Sequence, residues 1–268
     1  MLTRIISGAV GVAVLAAVLF FHDTMVLPAA VAVIIVIMIY ELLRAVGLHT
    51  ETPILIVTEL CAAGIPIECL GGERRELNMY ADIMGGVFVV FIIWLFRHND
   101  IKYHQIFFAL TVMILIPQSM CSIVRIEAME NGLFLLIMGL CGAWIADTGA
   151  YFTGVALGKH KLCPQISPKK TIEGFVGGIV TTGLIYAIAF SIHDGFTVSK
   201  AVLSFVLGAV CAVVGTVGDL SASMIKRQTG IKDYGRIMPG HGGLMDRFDS
   251  VLFVLPAFYA FIRITGFV

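Results

Sequence analysis

The sequence predicts an all-α, polytopic integral membrane protein with about nine transmembrane helices. Three observations support this prediction: hydrophobic residues make up 59% of the 268 residues, charged residues only 13%, and polar residues divide the chain into long apolar stretches. A soluble domain needs more polar surface than this composition supplies. The net charge is zero, so no overall basic field attracts nucleic acid, and no nucleic-acid partner is expected.

Each apolar stretch is close to the ~20 residues that a helix needs to cross the hydrocarbon core of a membrane. The third stretch is the least regular, because two prolines and two glutamates interrupt it, and a re-entrant or broken helix fits it equally well. The predicted spans are 3–21, 24–43, 53–70, 79–96, 105–124, 132–155, 174–193, 200–222 and 246–266.

Basic residues set the predicted orientation, because short cytoplasmic loops collect Lys and Arg. Thirteen of the 18 Lys and Arg residues fall on the side that carries the N-terminus, and five fall on the other side. The N-terminus is therefore expected in the cytoplasm. Nine of the thirteen lie in two loops, 156–173 and 223–247, which makes these loops the first places to look for a functional site.

Polar residues also divide the single membrane domain predicted for 1–268. Residues 1–131 have few polar positions and are interpreted as a helical scaffold, whereas 132–268 contain both basic loops and are interpreted as the catalytic region. The six cysteines form no C-x-x-C pair and are interpreted as packing residues. Glycine pairs such as Gly174 and Gly178 permit close helix packing, either within one subunit or in a homodimer.

The first polar cluster begins on the sixth predicted span. Asp147, Tyr151, Gly154 and Gly158 recur at helical spacing, so a carboxylate and a phenol share a face that glycine keeps open. A carboxylate within a span usually faces a partner or a wet cavity. For Asp147 alone, a structural hydrogen bond between helices is an equally good interpretation.

Downstream, the pair Ser167-Pro168 fits a helix N-cap with proline at the first helical position. It predicts that Lys169 and Lys170 lie in the first turn of a helix. Cations there oppose the helix dipole unless an anion such as phosphate lies between them and the helix start. The positive-inside bias explains lysines in this loop, but not their position beside the cap.

The second cluster is denser. Asp219, Ser223 and Lys226 recur at helical spacing on one face, and Asp246 and Asp249 share a face of the last predicted helix. Carboxylates with cations beyond them are what a magnesium-bound polyphosphate requires. The glycine turn before Asp246 is expected to offer backbone N–H groups to phosphate. A lipid-headgroup patch explains any single cation here, but not the interleaved carboxylates.

The run from Ser223 to Asp249 is similar to the signature motif of the phosphatidate cytidylyltransferases, also called CDP-diacylglycerol synthases. The matching segments are Ser223-Met224-Ile225-Lys226-Arg227, Lys232-Asp233-Tyr234-Gly235 and Pro239-Gly240-His241-Gly242-Gly243-Leu244-Met245-Asp246-Arg247-Phe248-Asp249. Residues 167–174 and the stretch from Asp147 to Lys159 resemble a second block of that family. Met238 departs from the pattern, which has Leu, Ile or Phe there, but the exchange conserves apolar volume.

The resemblance implies an enzyme that transfers the cytidylyl group of CTP to phosphatidic acid, giving CDP-diacylglycerol and pyrophosphate for phospholipid biosynthesis. It implies Mg2+ as cofactor, with a second cation left open, and membrane lipid as a partner. A multi-pass location in the plasma membrane, with the active site on the cytoplasmic side, is expected. His241 is expected either to close its turn by a hydrogen bond or to contact a phosphate oxygen.

Spacing and resemblance together suggest roles for the site residues. The predicted metal ligands are Asp219, Asp246 and Asp249. The predicted catalytic residues are Asp219, Asp246, Lys226 and Arg227. The predicted substrate-binding residues are Ser223, Lys232, His241, Gly242, Gly243, Arg247, Lys169, Lys170 and Asp147.

Two other classes of function compete with this interpretation. Acids within the spans, such as Glu59 and Asp82, would suit an ion or solute transporter, although the polar groups crowd the loops on one side and trace no line across the membrane. A CTP-dependent lipid kinase or a CDP-alcohol phosphotransferase would keep the enzyme and change the transfer. The Asp-Gly-x-x-Ala-Arg opening of the phosphotransferases does not occur in the sequence.

Overall fold

The computed structural model describes residues 2–70 and 75–267, and these residues are mostly helical. The prediction of an all-α polytopic membrane protein is confirmed, with one small β-hairpin added. The helices are α1 Leu2–Phe20, α2 Val26–Ala45, α3 Thr52–Glu68, α4 Arg75–Phe96, α5 Tyr103–Met120, α6 Ser122–Glu127, α7 Gly132–Leu157, α8 Ile172–Asp194, α9 Val198–Thr229, α10 Met245–Phe248 and α11 Val251–Thr265. A short 3-10 helix covers Leu48–Thr50, and the hairpin strands are β1 Lys161–Cys163 and β2 Ser167–Thr171.

Each predicted span overlaps helical residues, although 105–124 and 246–266 each fall on two consecutive helices. Within the described part of the chain, seven helical segments are long and apolar enough to cross a membrane: Val26–Ala45, Glu76–Phe96, Tyr103–Glu127, Gly132–Leu157, Ile172–Asp194, Val198–Thr229 and Met245–Thr265. Ile6–Phe20 is a shorter apolar helix, and α3 has 17 residues. The count of nine spans and the cytoplasmic N-terminus therefore stay predictions. Arg74, which entered the charge count, lies outside the described residues.

The chain divides into two compact units, Met1–Ala128 with Thr229–Arg247, and Met129–Gln228 with Phe248–Val268. In the first unit, α2 packs against α3 and α5. Fully buried aliphatic side chains, such as Ile35 and Ile39 of α2 and Ile65 of α3, fill this contact. Burial of such side chains is what fixes the helices of this unit against one another.

In the second unit, α7 and α8 pack along most of their lengths. A Cβ atom placed on Gly178 of α8 would lie 2.8 Å from the carbonyl oxygen of Ala146, so the backbones touch where Gly178 lacks a side chain. Tyr186 is fully buried and donates a hydrogen bond of 2.6 Å to the Met138 carbonyl of α7. The pair Gly174 and Gly178 is therefore used inside one subunit, and a homodimer stays a prediction.

The basic loop between α7 and α8 is a β-hairpin, in which β1 pairs antiparallel with β2. The prediction that Ser167 caps a helix carrying Lys169 and Lys170 in its first turn is wrong. Both lysines lie in β2, and α8 begins afterwards with Thr171 as its N-cap, whose hydroxyl accepts a hydrogen bond from the Gly174 N–H. Proline fits a short exposed strand as well as a first helical turn, which explains the error.

The last predicted helix is also interrupted. Helix α10 ends at Phe248, Asp249 and Ser250 form a turn, and α11 begins at Val251. The prediction that Asp246 and Asp249 share a face of one continuous helix is therefore wrong. Asp249 uses a side-chain oxygen to accept the Ser250 N–H at 2.7 Å, a local bond that competes with helix continuation.

Candidate functional site

A lysine and two aspartates from three elements meet in the second unit. Lys170 Nζ of β2 lies 2.6 Å from Asp219 Oδ2 of α9 and 3.7 Å from Asp147 Oδ1 of α7. The Lys170 and Asp219 side chains are each 24% exposed, so this ion pair is largely shielded from solvent. The structure thus brings together three predicted site residues that are separated by up to 72 positions in sequence.

Asp249 belongs to the same unit and is 9% exposed. Its carboxylate interacts electrostatically with Asp219, Asp147 and Lys226. The close approach of α9 to the Asp249 turn depends on Gly218, because a Cβ there would lie 2.6 Å from the Asp249 carbonyl oxygen. Three carboxylates and two lysines therefore form one mixed-charge cluster, which we call the acidic cluster: Asp147, Lys170, Asp219, Lys226 and Asp249.

The end of α9 supplies further polar groups. Asp219, Ser223 and Lys226 follow one face of α9 at helical spacing, as predicted. Arg227 Nε donates a hydrogen bond of 3.4 Å to the Ile166 carbonyl in the hairpin turn. The end of α9 is thereby tied to the loop that carries Lys170.

The hairpin is also fastened at its start. Glu173 in the first turn of α8 accepts hydrogen bonds from the Lys159 N–H at 3.1 Å and the His160 N–H at 3.2 Å, and it pairs with the His160 ring at 2.6 Å. These bonds fix where β1 begins, and the strand pairing then fixes β2. Lys170 is consequently held toward Asp219, whereas Lys169 is exposed.

In the first unit, the signature segment folds as a tight loop. We call residues 234–246 the glycine loop. Gly240 and Gly242 have φ values of 80° and 89°, a backbone conformation that glycine adopts without strain, and the Met238 N–H donates to the Gly242 carbonyl. Asp246 Oδ2 accepts the N–H groups of Tyr234 at 2.8 Å and Gly243 at 2.9 Å, which closes the loop.

The glycine loop has further partners. His241 Nδ1 lies 2.8 Å from the Ser7 hydroxyl of α1, which also donates to the Pro239 carbonyl, so Ser7 ties the turn to α1; the contact of His241 with a phosphate oxygen stays a prediction. Glu41 of α2 accepts the N–H groups of Leu244 and Met245. The sequence predicted that backbone N–H groups of the glycine turn bind phosphate. The N–H groups of Gly243, Leu244 and Met245 instead donate to carboxylates.

Glu41 is the residue that sequence reasoning missed. It is 1% exposed, although the sequence placed it in the scaffold region. A glutamate near the end of an apolar helix, followed by Arg44, is typical of a span that reaches the membrane boundary. The only available signal was its position inside an otherwise apolar stretch, since its partners lie more than 200 residues away in sequence.

Residues 2–265 match the sequence profile of the cytidylyltransferase family. The chain belongs to that family. Among relatives in this family, the phosphatidate cytidylyltransferase of Staphylococcus saprophyticus is 45% identical over 130 residues, 48% of this chain and 49% of that protein. The phosphatidate cytidylyltransferase of Bacillus subtilis is 35% identical over 193 residues, 72% of this chain and 69% of that protein. The chain thus spans about half the length of the staphylococcal relative it matches.

The residues of this cytidylyltransferase-family chain suit a hard cation. Magnesium takes oxygen ligands, commonly one or two carboxylates together with water and substrate phosphate. Asp147, Asp219 and Asp249 supply such oxygens within one unit. Within residues 2–70 and 75–267, no three His, Cys, Asp or Glu side chains come together in a group that could hold a metal ion by themselves. The metal role of Asp246 and the phosphate roles of Lys232, Arg247 and Gly242 stay predictions.

Proposed function

We propose that this chain transfers the cytidylyl group of CTP to phosphatidic acid, giving CDP-diacylglycerol and pyrophosphate. The observation that carries the proposal is the acidic cluster, in which cations and carboxylates alternate within an apolar helical chain of the cytidylyltransferase family. The names of the Staphylococcus and Bacillus relatives support the same substrates. A lipid phosphate acceptor also suits a chain with seven helices of membrane-spanning length within its described residues.

The proposed reaction is a displacement at phosphorus. A phosphate oxygen of phosphatidic acid attacks the α-phosphorus of CTP, a new P–O bond forms, and the bond to the β-phosphate bridging oxygen breaks. Pyrophosphate leaves with that electron pair. The attacking oxygen is already anionic at neutral pH, so the reaction needs no strong general base, and the barrier lies in bringing anions together.

The cations of the second unit suit that task. Lys170 lies beside Asp219 and Asp147, and Lys226 and Arg227 occupy the last turns of α9. In this proposal, Lys170 and Lys226 neutralise phosphate charge as the triphosphate and the lipid phosphate approach each other. Preorganised cations stabilise the departing pyrophosphate more than mobile solvent does.

We further propose that Asp219 and Asp249 hold Mg2+, with Asp147 as a supporting ligand. When bound, the ion supplies charge neutralisation to the phosphates and a bridge between carboxylate and phosphate oxygens. The burial of Asp249 supports this assignment, because a carboxylate that is 9% exposed beside other carboxylates gains most from a cation. A second cation is compatible with the same oxygen-rich cluster.

We propose that the protein lies in the bacterial plasma membrane with its active site at the cytoplasmic side. The basic residues concentrated in loops 156–173 and 223–247 support this orientation under the positive-inside bias. The relatives named above are bacterial proteins. CTP is a cytosolic nucleotide, so a site on this side has direct access to it.

One assay tests the reaction. The purified chain in detergent receives CTP labelled at the α-phosphate, Mg2+ and either phosphatidic acid or diacylglycerol. We expect labelled CDP-lipid and unlabelled pyrophosphate to form with phosphatidic acid, and neither product to form with diacylglycerol. Release of labelled CDP with diacylglycerol would instead identify a CTP-dependent lipid kinase. If CTP is turned over with neither lipid, the proposal is contradicted and the transporter interpretation is favoured.

A further inference from the structure

A buried carboxylate from α2 holds the glycine loop. Glu41 Oε1 accepts the Leu244 N–H at 3.1 Å, and Oε2 accepts the Met245 N–H at 2.8 Å. Both oxygens are therefore engaged, and the residue is 1% exposed. A buried carboxylate is stable when hydrogen-bond donors compensate its charge, and these two N–H groups are such donors.

The glycine loop is shaped around this carboxylate. A Cβ atom placed on Gly243 would meet the Glu41 carboxyl group as its three nearest neighbours, with Cδ at 2.6 Å. A Cβ on Gly235 would lie 2.7 Å from the same Cδ atom. Two glycines of the signature segment are thus in contact with one side chain, and neither has a positive φ. Their lack of a side chain is explained by the space that Glu41 occupies.

The same loop carries Asp246. Its Oδ2 accepts the N–H of Gly243, so Glu41 and Asp246 bind adjacent backbone N–H groups at 243, 244 and 245. Loss of one carboxylate would leave buried N–H groups unsatisfied and allow the segment to change conformation. The position of the Asp246 and Arg247 backbone therefore depends on a residue of α2 that lies more than 200 positions earlier.

We infer that Glu41 is a positioning residue for cytidylyl transfer, which fixes the glycine loop in its active conformation without contacting substrate. The predicted effect of Glu41 on turnover rests on the proposed function. The predicted effect on the conformation of the glycine loop rests on the hydrogen bonds alone. Through these hydrogen bonds, a residue of the predicted scaffold region shapes the glycine loop.

The structural arm measures amide hydrogen exchange in the full-length chain in lipid nanodiscs. Glu41→Gln keeps the size of the side chain, but its amide nitrogen is a donor that faces a backbone donor. We expect exchange at the Leu244 and Met245 amides to rise about tenfold or more, with exchange in α8 unchanged. Glu59→Gln, a glutamate of α3 in the same unit, is the matched control and should leave the loop as in the wild type. Unchanged exchange at 244 and 245 in Glu41→Gln would overturn the inference.

The catalytic arm uses the CTP assay. Glu41→Gln should lower kcat about a hundredfold with a smaller change in the KM for CTP, because a displaced glycine loop disturbs the alignment of the reacting groups. Glu41→Asp, which retains both acceptor oxygens, should recover part of the loss seen in Glu41→Ala. A loosened loop with wild-type turnover would overturn the positioning role. If the wild type itself turns over no CTP, the proposed function fails. The amide exchange result would still test the contact between Glu41 and the glycine loop.

A reciprocal substitution tests the same contact from the glycine side, and Gly243→Ala alone serves if Glu41→Gln does not fold. Gly243→Ala should loosen the loop from the other side, since its Cβ displaces the Glu41 carboxyl group. In a Glu41→Ala background that obstacle is absent. Adding Gly243→Ala should then raise exchange by less than about twofold, a non-additive result expected for residues in contact. Additive effects would show that Gly243 and Glu41 act independently and would overturn the inference.

Discussion

Lys170 Nζ forms an ion pair of 2.6 Å with Asp219 Oδ2, joining the hairpin to α9 within the second unit. The same ammonium group lies 3.7 Å from Asp147 Oδ1. A single lysine thus neutralises part of the charge of two carboxylates. This arrangement makes Lys170 the first residue to test in the acidic cluster.

Replacement of Lys170 by Met should lower kcat/KM for CTP roughly a hundredfold, because a preorganised cation is lost from a partly shielded site. Steady-state kinetics with phosphatidic acid in mixed micelles measures the change. Lys161 lies on the other strand of the hairpin and is exposed. Lys161→Met should stay within about twofold of the wild type, and an equal loss in both variants would point to general weakening of the hairpin.

Removal of divalent cations should abolish turnover, and Mg2+ should restore it. In Asp219→Asn the half-saturating Mg2+ concentration should rise about tenfold or more, because a proposed metal ligand is lost while the side-chain size is kept. Titration of activity with Mg2+ after chelation gives this value. Asp100→Asn changes an aspartate that is 63% exposed and serves as the control. An unchanged Mg2+ dependence in Asp219→Asn would remove Asp219 from the metal site.

Asp246→Asn should abolish cytidylyl transfer while the protein still inserts and folds. One asparagine oxygen can occupy the position of Oδ2 and accept the Tyr234 and Gly243 N–H groups, so the substitution removes charge and preserves the loop. The readouts are CTP turnover and amide exchange over residues 234–246. Retained turnover would refute the predicted metal role of Asp246, and faster loop exchange would show that geometry had changed as well.

Gly208→Ala should destabilise the second unit by about 1–3 kcal/mol, because overpacking forces the backbones apart. The new Cβ would lie 2.7 Å from the Thr182 carbonyl oxygen and 2.9 Å from the Gly183 Cα atom of α8. Gly85→Ala is the matched control, since a Cβ there meets nothing within 4 Å. Thermal unfolding in detergent should show a lowered midpoint for Gly208→Ala alone. Equal midpoints would mean that α8 and α9 separate readily.

The helices were predictable because membrane spans are set by length and hydrophobicity, both of which can be read locally. The hairpin was not, since Ser167-Pro168 fits both an extended strand and a first helical turn. The pairing of β1 with β2 decides between them, and pairing is a property of two segments.

The acidic residues of the candidate site were predicted from spacing along single helices. Asp147 and Asp219 were singled out in this way, and the structure brings them to one lysine. Glu41 had no such pattern around it. Its role depends on backbone N–H groups at 244 and 245, which carry no sequence signature of their own.

The contact between α7 and α8 bears on how the proposed lipid substrate would reach the acidic cluster. Where Gly178 meets the Ala146 carbonyl, and where Gly149 meets Thr181, the two helices leave no gap that an acyl chain could enter. In the proposed reaction, the two acyl chains of phosphatidic acid would therefore enter from another side of the second unit. The glycines that bring α7 and α8 into contact would thereby also set the direction from which the proposed lipid substrate approaches.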